Sequence, residues 1–396
     1  MTRSHAWLAA AVAAVALGTA ACSSSGGGSG SPSSAPAGLG GLVPVQLPGL
    51  QKHAAIAPTT TIVPAAISPD GKFLYALAQD GVIPVDLSTS RLLPAIKTGQ
   101  GPRQMAVTGD GKTGYVINGP ANSVTPINMS DNVAGTPIAV GHFPVEVTFT
   151  PNGKTAYVGN GLAGTVTPVN VATGKALKDI KVGSGTKTYP AAITVTPDGK
   201  TALVALRGTD KVVPINVATN KAGKPITVGE APYAIVITPD SKTAYVTNSR
   251  GSSVSPVNLV THKALPAIKV GENPGAIAIT PDGKTIYVAS DLNFTSQGTV
   301  TPIDVATNKA GTPIKVGTDP VLIEIPAGGT TAYVLDQADA AITPIDLATN
   351  TAKPLVWVGI SNGHISTMVL APDGSMAYVG RYAATGKRNA PPLPAG

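Results

Sequence analysis

The stretch TPDSKTAYVTNSRGSSVSPVNL, residues 238–259, is one copy of a unit that recurs along the chain. TPDGKTIYVAS at 280–290 and TPNGKTAYVGN at 150–160 repeat its first half with few changes. If the tyrosine of the AYV string is the register mark, the copies follow at spacings of 40, 42, 46, 42, 42, 46 and 45 residues. The marks are Tyr75, Tyr115, Tyr157, Leu203, Tyr245, Tyr287, Tyr333 and Tyr378. A period in the low forties is typical of propellers or of helical arrays.

The pattern inside each unit decides between these two architectures. One copy contains four short runs rich in β-branched residues: AIAIT (276–280), TIYVAS (285–290), TVTPIDV (299–305) and TPIKVG (312–317). Gly-, Asn- and Asp-rich turn sequences separate them, which indicates strands joined by turns. No run of helical length places apolar residues at spacings of three, four and seven. The sequence therefore predicts an all-β fold, a β-propeller of four-stranded blades.

Repeated residues have structural explanations within such a unit. The Asp and Gly of the PDGK strings suit a tight turn, and the tyrosine column suits packing between blades, with each hydroxyl finding a partner. Proline recurs in the third run of each unit, at Pro84, Pro126, Pro168, Pro214, Pro256, Pro302 and Pro344. Because proline cannot donate to a strand ladder, the fourth strand is predicted to be short or bulged beside it.

The units resemble the YVTN-type β-propeller repeat, whose name-giving string stands at 245–248. The pattern TPDGKTAYV…VTPIDLATN…PIKVG extends over about 340 of the 396 residues. The units depart from tryptophan–aspartate repeats, since no Trp-Asp pair occurs, and they lack the tryptophan ring of quinone-dependent dehydrogenases, since the chain has only Trp7 and Trp357. The resemblance implies that the loop before the first strand and the loop between the second and third strands share one face of the propeller.

The chain ends predict how the propeller closes. The strings LVPVQLPGL (42–50) and TTTIVP (59–64) align with the third and fourth strands of a unit, and the last copy stops after its second strand, near Tyr382. The N-terminal strands are therefore expected to complete the C-terminal blade and remove an open edge. Eight marks predict eight blades in a propeller domain at 42–382, with seven, the commoner number in this family, as the alternative. Residues 383–396 form a basic, proline-rich tail.

The N-terminus has the pattern of a bacterial lipoprotein signal peptide at residues 1–21. Arg3 supplies the positive charge, 6–21 is a short apolar run, and Cys22, the single cysteine, follows small residues. Thr19 stands where such signals usually have leucine. Cys22 is the predicted lipidation site, and 22–41 is a Gly/Ser/Pro-rich tether. These features predict a position on the outer face of the cytoplasmic membrane, with secretion as the alternative.

Composition excludes some classes of function. Apolar residues make up 43% and charged residues 12% of the chain, which is too apolar for a disordered protein. The formal net charge is +7, a mild excess compatible with a weakly anionic partner. Aromatic residues are only 4%, too few for the stacking surfaces that single-stranded nucleic acids need. No nucleic-acid partner is therefore expected.

Candidate functional residues are those at which the copies differ. The loops before the first strands contribute Arg103, His142, Phe143, Glu146, Tyr189, Glu230, Tyr233, Glu272, Asn273, Asp319 and His364, and the loops between second and third strands contribute Asn160, Arg207, Asp210, Asn248, Arg250, Asp291, Asn293, Phe294 and Asp336. Arg103, Glu146 and Tyr233 are expected to rim a central channel. Charged and aromatic residues at a concave mouth form the usual binding-site hypothesis.

Ten of these are the preferred binding residues: Arg103, His142, Glu146, Glu230, Tyr233, Glu272, Asp319, His364, Arg250 and Phe294. Phe294 lies in the longest such loop, 291–298, and is the best single candidate for a partner contact. The histidines and carboxylates have residue types that a hydrolase uses, but no H-E-x-x-H or G-x-S-x-G motif occurs. No catalytic residue, metal ligand or cofactor is predicted.

The sequence thus predicts a lipid-anchored, non-enzymatic propeller outside the cytoplasm. Its function is that of a monomeric binding or scaffold module for a protein or an envelope polymer. One alternative is a lactonase-like hydrolase or a lyase with its site at the channel mouth. A second alternative is a structural envelope protein that binds anionic polymer through lysines of the opposite face, namely Lys72, Lys112, Lys154, Lys200, Lys221, Lys242, Lys263, Lys284 and Lys309.

Overall fold

The computed structural model describes residues 42–46, 63–184, 188–291, 297–358, 364–372 and 374–382. Strands, turns and bends make up this part of the chain, which contains no helix. Accordingly, no helix long and apolar enough to cross a membrane occurs among these residues. The predicted signal peptide (1–21), the tether with Cys22 (22–41), Phe294 and the tail (383–396) lie outside the described residues.

Seven antiparallel sheets repeat one four-stranded plan, and they are numbered 1 to 7 along the chain. Their first strands are Val63–Ile67, Pro102–Val107, Pro144–Phe149, Pro190–Val195, Pro232–Ile237, Ile277–Ile279 and Pro320–Glu324. The second strands are Phe73–Ala78, Thr113–Asn118, Thr155–Asn160, Thr201–Leu206, Thr243–Asn248, Thr285–Ser290 and Thr331–Asp336. The third strands are Gly81–Asp86, Ser123–Asn128, Thr165–Asn170, Lys211–Asn216, Ser253–Asn258, Gln297–Asp304 and Ala341–Asp346.

A further sheet joins the two ends of the chain and is called the terminal sheet. It consists of His364–Leu370, Met376–Tyr382 and the N-terminal strand Leu42–Gln46, in that order of pairing. Leu42 pairs with Gly380 and Gln46 with Met376, so Leu42–Gln46 takes the place that a third strand has elsewhere. The first strand of each sheet contacts the first strand of the next, and His364–Leu370 contacts the first strands of sheets 7 and 1.

The fourth strand of each numbered sheet is divided into two pieces beside the third-strand proline. The pieces are Arg91–Leu92 and Ile96–Lys97, Val133–Ala134 and Ile138–Ala139, Lys175–Ala176 and Ile180–Lys181, Lys221–Ala222 and Ile226–Thr227, Lys263–Ala264 and Ile268–Lys269, Lys309–Ala310 and Ile314–Thr318, and Thr351–Ala352 and Val356–Trp357. The residue after the first piece donates its amide to the proline carbonyl, as Leu177 does to Pro168 at 2.8 Å. The prediction of a short fourth strand is confirmed.

The PDGK turns form as predicted. Asp282 accepts hydrogen bonds from the Thr280 hydroxyl at 2.6 Å and from the Lys284 amide at 3.0 Å, and Gly283 has φ of 71°. The hydrogen bond from Thr280 is the main cause that lowers the pKa of Asp282. The Asp side chain thus holds the turn closed, and the Gly accepts a backbone conformation that most residues avoid.

The tyrosine column links neighbouring sheets. The rings are buried, and four hydroxyls donate to an asparagine in the turn between the third and fourth strands of the next sheet. The pairs are Tyr75 with Asn132 (2.8 Å), Tyr157 with Asn220 (2.7 Å), Tyr245 with Asn308 (2.6 Å) and Tyr287 with Asn350 (2.6 Å). The predicted hydroxyl partner is confirmed for these four tyrosines.

Sheets 2 and 4 depart from this pairing. Gly174 stands where Tyr115 would find its asparagine, and the buried Tyr115 hydroxyl has no hydrogen-bond partner among the described residues. Leu203 replaces the tyrosine of the fourth copy, and His262 replaces its asparagine partner. In the fourth copy both columns change together, whereas in the second copy the tyrosine is kept and only its partner is lost.

The core lies between adjacent sheets. Leu203 and Val212 of sheet 4 pack in one cluster with Ile235 and Val246 of sheet 5, for example. The terminal sheet packs on both neighbours, since its side chains share one cluster with Leu322 of sheet 7 and another with Leu74 of sheet 1. Each such buried aliphatic side chain contributes about 1.5–3 kcal/mol. Because adjacent sheets pack on each other in this way, the loops at the ends of their strands are held in fixed positions.

Candidate functional site

The two loop sets that carry the candidate residues lie together in each sheet. The amide of Gly161 donates to the Phe143 carbonyl at 2.8 Å, that of Arg207 to Tyr189 at 3.1 Å, and that of Arg250 to Glu230 at 3.3 Å. Each bond joins the loop between the second and third strands to the loop before the first strand. The shared face that the family resemblance implied is therefore present.

The residue before the recurrent proline at the start of the unit (Pro102, Pro144, Pro190, Pro232, Pro274 or Pro320) has a left-handed backbone in six consecutive copies. The φ values are 64° at Gly101, 54° at Phe143, 29° at Tyr189, 53° at Ala231, 46° at Asn273 and 57° at Asp319. Gly, Asn and Asp adopt this conformation most readily, whereas bulky residues rarely do. Phe143 and Tyr189 therefore store backbone strain, of order 1–3 kcal/mol each.

Both strained aromatic residues belong to a row of neighbouring residues, which we call the arginine–aromatic arc: Arg103, Phe143, Tyr189, Arg207 and Tyr233. The Arg103 guanidinium lies 4.9 Å from the centre of the Phe143 ring, and that of Arg207 lies 5.3 Å from the centre of the Tyr233 ring. The Tyr189 carbonyl accepts the Arg207 amide. The arc extends over sheets 2 to 5.

Two glycines allow the arc to form. A Cβ on Gly161 would stand 3.0 Å from Cε2 of Tyr189 and 3.2 Å from the Phe143 carbonyl oxygen, so this glycine lies between the two aromatic residues. A Cβ on Gly119 would stand only 2.7 Å from Cδ of Arg103. Side chains at these two positions would displace members of the arc.

The electrostatics of the arc centre on Tyr189 and Glu146. Burial raises the pKa of Tyr189, and the charges of Arg103 and Arg207 oppose that rise. Glu146, whose charge also acts on Tyr189, is 4% exposed, and burial raises the pKa of its carboxyl well above the ordinary value. A hydrogen bond from Gln104 opposes that shift, and Oε2 of Glu146 has no hydrogen-bond partner among the described residues.

Residues 171–326 match the family model of YNCE-like beta-propellers. This match is consistent with the YVTN-type β-propeller repeat that the units resemble. Among curated proteins, no sequence matches this one.

Solved structures similar to the propeller confirm the all-β, propeller-like fold. Dihydro-heme d1 dehydrogenase NirN in complex with DHE is 17% identical, with a TM-score of 0.66 over 87% of this chain and 76% of that one. Kuenenia stuttgartiensis hydrazine synthase is 20% identical, with a TM-score of 0.57 over 76% and 98% of the chains. A functionally unknown protein from Desulfotomaculum acetoxidans DSM 771 is 17% identical, with a TM-score of 0.57 over 72% and 95%. At these identities the likeness shows the fold alone.

The propeller brings only some of the predicted site residues together. Arg103 and Tyr233 belong to the arc, and Glu146 is buried beside it rather than on an open rim. The exposed side chains of His142, Glu230, Arg250 and Glu272 stand on the same loop face, and none of them belongs to the arc. His364 begins the first strand of the terminal sheet, and Phe294 lies outside the described residues.

Asp319 belongs to a separate acidic cluster in sheet 7, together with Asp336 and Asp339. Asp319 is 1% exposed and Asp336 is fully buried, and each has a carboxylate oxygen without a hydrogen-bond partner among the described residues. Burial raises the pKa of Asp319 to about 6. Burial also raises the pKa of Asp336 to about 7, and the Thr343 hydroxyl, which donates at 2.5 Å, opposes that rise. The charges of Asp339 and Asp319 add to it.

Neither cluster has the arrangement of a metal centre. In the part of the chain that the structure describes, no three His, Cys, Asp or Glu side chains are grouped so that they could hold an ion. A cavity of about 230 Å³ lies elsewhere, at the turn Pro326–Thr331 of sheet 7, with Tyr333 and Gly374 in its wall. The arc is therefore the site at which chemically diverse side chains converge.

Sequence reasoning placed Phe143, Tyr189 and Arg207 in the variable loops but did not prefer them. Gln104 and Asp339 were missed. A signal for the aromatic pair was present, since the other described members of the column before the proline are Gly101, Ala231, Asn273 and Asp319. The left-handed backbone at this position favours small or polar residues, so the two aromatic residues there indicate a role other than forming the loop.

Proposed function

We propose that the eight sheets are eight blades of one closed ring, sealed by the N-terminal strand. Support comes from the pairing of Leu42–Gln46 with Met376–Tyr382 and from the packing of the terminal sheet against both sheets 1 and 7. Such a ring has a central axis, and the loop face that carries the arc surrounds one end of it. Seven blades, the alternative from the family, would leave one sheet without a place.

The propeller acts as a lipid-anchored, non-catalytic binding module outside the cytoplasm, and its partner is a protein or a polymer of the cell envelope. The arc is its binding surface. The observation that carries this assignment is the pair of arginine–ring contacts in the arc, which extends over four sheets and has two aromatic residues in a strained backbone conformation. Arg103 is exposed and the other four side chains are partly buried, and arginine and aromatic side chains are among the residue types that contribute most to binding free energy.

Photo-crosslinking in the native host tests this assignment. Benzoylphenylalanine in place of Phe143 is expected to give covalent adducts with the partner. The same residue in place of Val260, which is 73% exposed in the turn between the third and fourth strands of sheet 5, is expected to give none. Adducts at 260 without adducts at 143 would move the binding surface to the opposite face and contradict the proposal.

The anchor has a separate test. Cys22→Ser removes the thiol that lipidation requires, so the variant is expected to leave the membrane fraction almost completely and appear in the soluble extracytoplasmic fraction. Ser23→Ala is the matched control and should stay with the membrane. Membrane retention of the Cys22→Ser variant after a high-salt wash would contradict a lipid anchor at Cys22.

An enzyme, such as a hydrolase or a lyase, is the second candidate because of one observation. Glu146 is a buried carboxyl with a raised pKa beside Tyr189, the kind of group that serves as a general acid or base. Glu146→Gln distinguishes the two functions, since it preserves the shape and the hydrogen bond to Gln104. An enzyme would lose turnover, whereas a binding module would keep its crosslink at position 143.

The lysine face has less support as a polymer-binding surface. Lys72, Lys200, Lys242 and Lys284 each lie within 3.3–3.8 Å of the Asp two residues earlier in the same turn. These exposed ion pairs weaken the field that an anionic polymer would meet.

A further inference from the structure

We propose that the arc recognises an anionic ligand, one that carries carboxylate or phosphate groups, through Arg103 and Arg207. This inference rests on the proposed function, since it names the chemistry of the ligand that the arc binds. It is independent of the lysine face and of the acidic cluster in sheet 7.

The placement of the two guanidinium groups is the first argument. Each lies over the face of an aromatic ring, Arg103 over Phe143 and Arg207 over Tyr233. Stacking of this kind holds the guanidinium plane while its N–H groups, which point along that plane, stay available to a bidentate acceptor. Carboxylates and phosphates match this geometry and give charge-assisted hydrogen bonds.

The charge around the arc is the second argument. The ion pairs among the described residues do not include Arg103 or Arg207. The titratable groups that act on the centre of the arc are Tyr189 and Glu146, and burial favours the uncharged form of both. Among the described residues, no carboxylate forms an ion pair with either guanidinium, so the two positive charges favour an anion at the arc.

Backbone strain is the third argument. Phe143 and Tyr189 occupy a left-handed position that Asn273 and Gly101 occupy without such a cost. The fold itself gains nothing from a bulky ring there, because the same loop forms in the other copies with small residues. Strain that a fold does not need is found mainly at ligand sites. In the arc, the Phe143 ring supports the Arg103 guanidinium.

Calorimetric titration of the propeller tests the inference with three probes: tripolyphosphate, trigalacturonate and the methyl ester of trigalacturonate, which lacks the charge. The wild type is expected to bind at least one of the two anions and not the ester, and the anion that binds identifies phosphate or carboxylate as the ligand group. Arg103→Gln and Arg207→Gln should each weaken binding about tenfold or more, since each loses charge-assisted hydrogen bonds.

Two controls separate recognition from general charge and from misfolding. Lys181→Gln removes the same charge from an exposed position on the fourth strand of sheet 3, and it should change the affinity by less than about threefold at 0.15 M salt. Phe143→Asn should weaken binding while the melting temperature stays equal or rises, because Asn accepts the left-handed backbone as Asn273 does.

The outcomes decide the inference clearly. If the wild type binds neither anion at millimolar concentration, or if Lys181→Gln weakens binding as much as Arg103→Gln, the inference is wrong. Crosslinks at position 143 in the host would then still support the arc as the binding surface, for a neutral ligand. If anion binding and crosslinks at 143 both fail, the proposed function fails as well.

Discussion

Asp336→Asn is expected to raise the free energy of unfolding by about 2–4 kcal/mol at pH 8. Asp336 has a pKa of about 7 in the folded protein against an ordinary value of 3.8, and one pKa unit corresponds to about 1.4 kcal/mol. Its position at the end of the second strand is taken by Asn118, Asn160 and Asn248 in other sheets. The Asn160 amide donates to the hydroxyls of Thr165 and Thr167 at 2.9 Å, which a carboxylate cannot do.

The gain from Asp336→Asn should depend on pH in a defined direction. Because burial raises the pKa of Asp336, the folded protein binds more protons than the unfolded chain between about pH 4 and pH 7. Wild-type stability therefore falls as pH rises through this window, and Asp319, with a pKa of about 6, adds to the fall. The variant should match the wild type near pH 4 and exceed it most above pH 7. Urea unfolding from pH 4 to pH 8 measures both curves.

A reciprocal variant controls this prediction. Asn160→Asp places a buried carboxyl in sheet 3 at the position that Asp336 has in sheet 7. The free energy of unfolding of this variant should therefore fall as pH rises over a similar window. Asp282→Asn should instead lower the free energy of unfolding at neutral pH. The pKa of Asp282 is lowered in the folded protein, so the stabilisation by its carboxylate is fully present above about pH 4 and is lost as pH falls further. Equal pH profiles for the wild type and Asp336→Asn would show that Asp336 is not the titrating group.

Gly174→Asn is expected to stabilise the propeller by about 1–2 kcal/mol. The variant places an amide oxygen where the other turns have one and gives the buried Tyr115 hydroxyl the partner that it lacks. Gly174 has φ of 61°, close to the 51–58° of the paired asparagines, so Asn fits the backbone. A Cβ would meet only Cδ1 of Ile138, at 3.9 Å. Replacement of glycine also reduces the freedom of the unfolded chain.

A double-mutant cycle with Tyr115→Phe isolates the new contact. In the Phe background there is no hydroxyl to satisfy, so Gly174→Asn should retain only the gain from the unfolded chain, a few tenths of a kcal/mol up to about 1. Asn220→Gly makes the reverse change at Tyr157 and should destabilise. A gain from Gly174→Asn that is the same in both backgrounds would show that Tyr115 does not contribute.

The fold could be predicted from the sequence because every copy repeats the same physical solution. The Asp of the turn, the tyrosine of the second strand and the proline of the third strand recur at nearly fixed spacing. Each of them determines a local structure, and its recurrence in many copies makes the prediction firm. Even the split fourth strand follows from the missing proline amide. The blade number and the closure remain proposals.

The site was harder to predict. Glu146 was expected at the rim, but the register shifts between Pro144 and Glu146, and such a bulge changes the face to which the following side chains point. Strand alternation read from sequence cannot include a bulge. The contacts of Arg103 and Arg207 with rings in the next loop along the chain join residues of different sheets, so they depend on packing that no single repeat encodes.

The divided fourth strands have a consequence for crowding. The edge of each numbered sheet is its fourth strand, which consists of pieces of two residues, with five residues only in Ile314–Thr318. A strand of another molecule therefore finds no long row of free backbone groups to pair with. Lysines at Lys97, Lys181 and Lys269 further discourage edge-to-edge addition. The numbered sheets therefore offer little edge for a strand of another copy to pair with, although their composition is rich in β-forming residues.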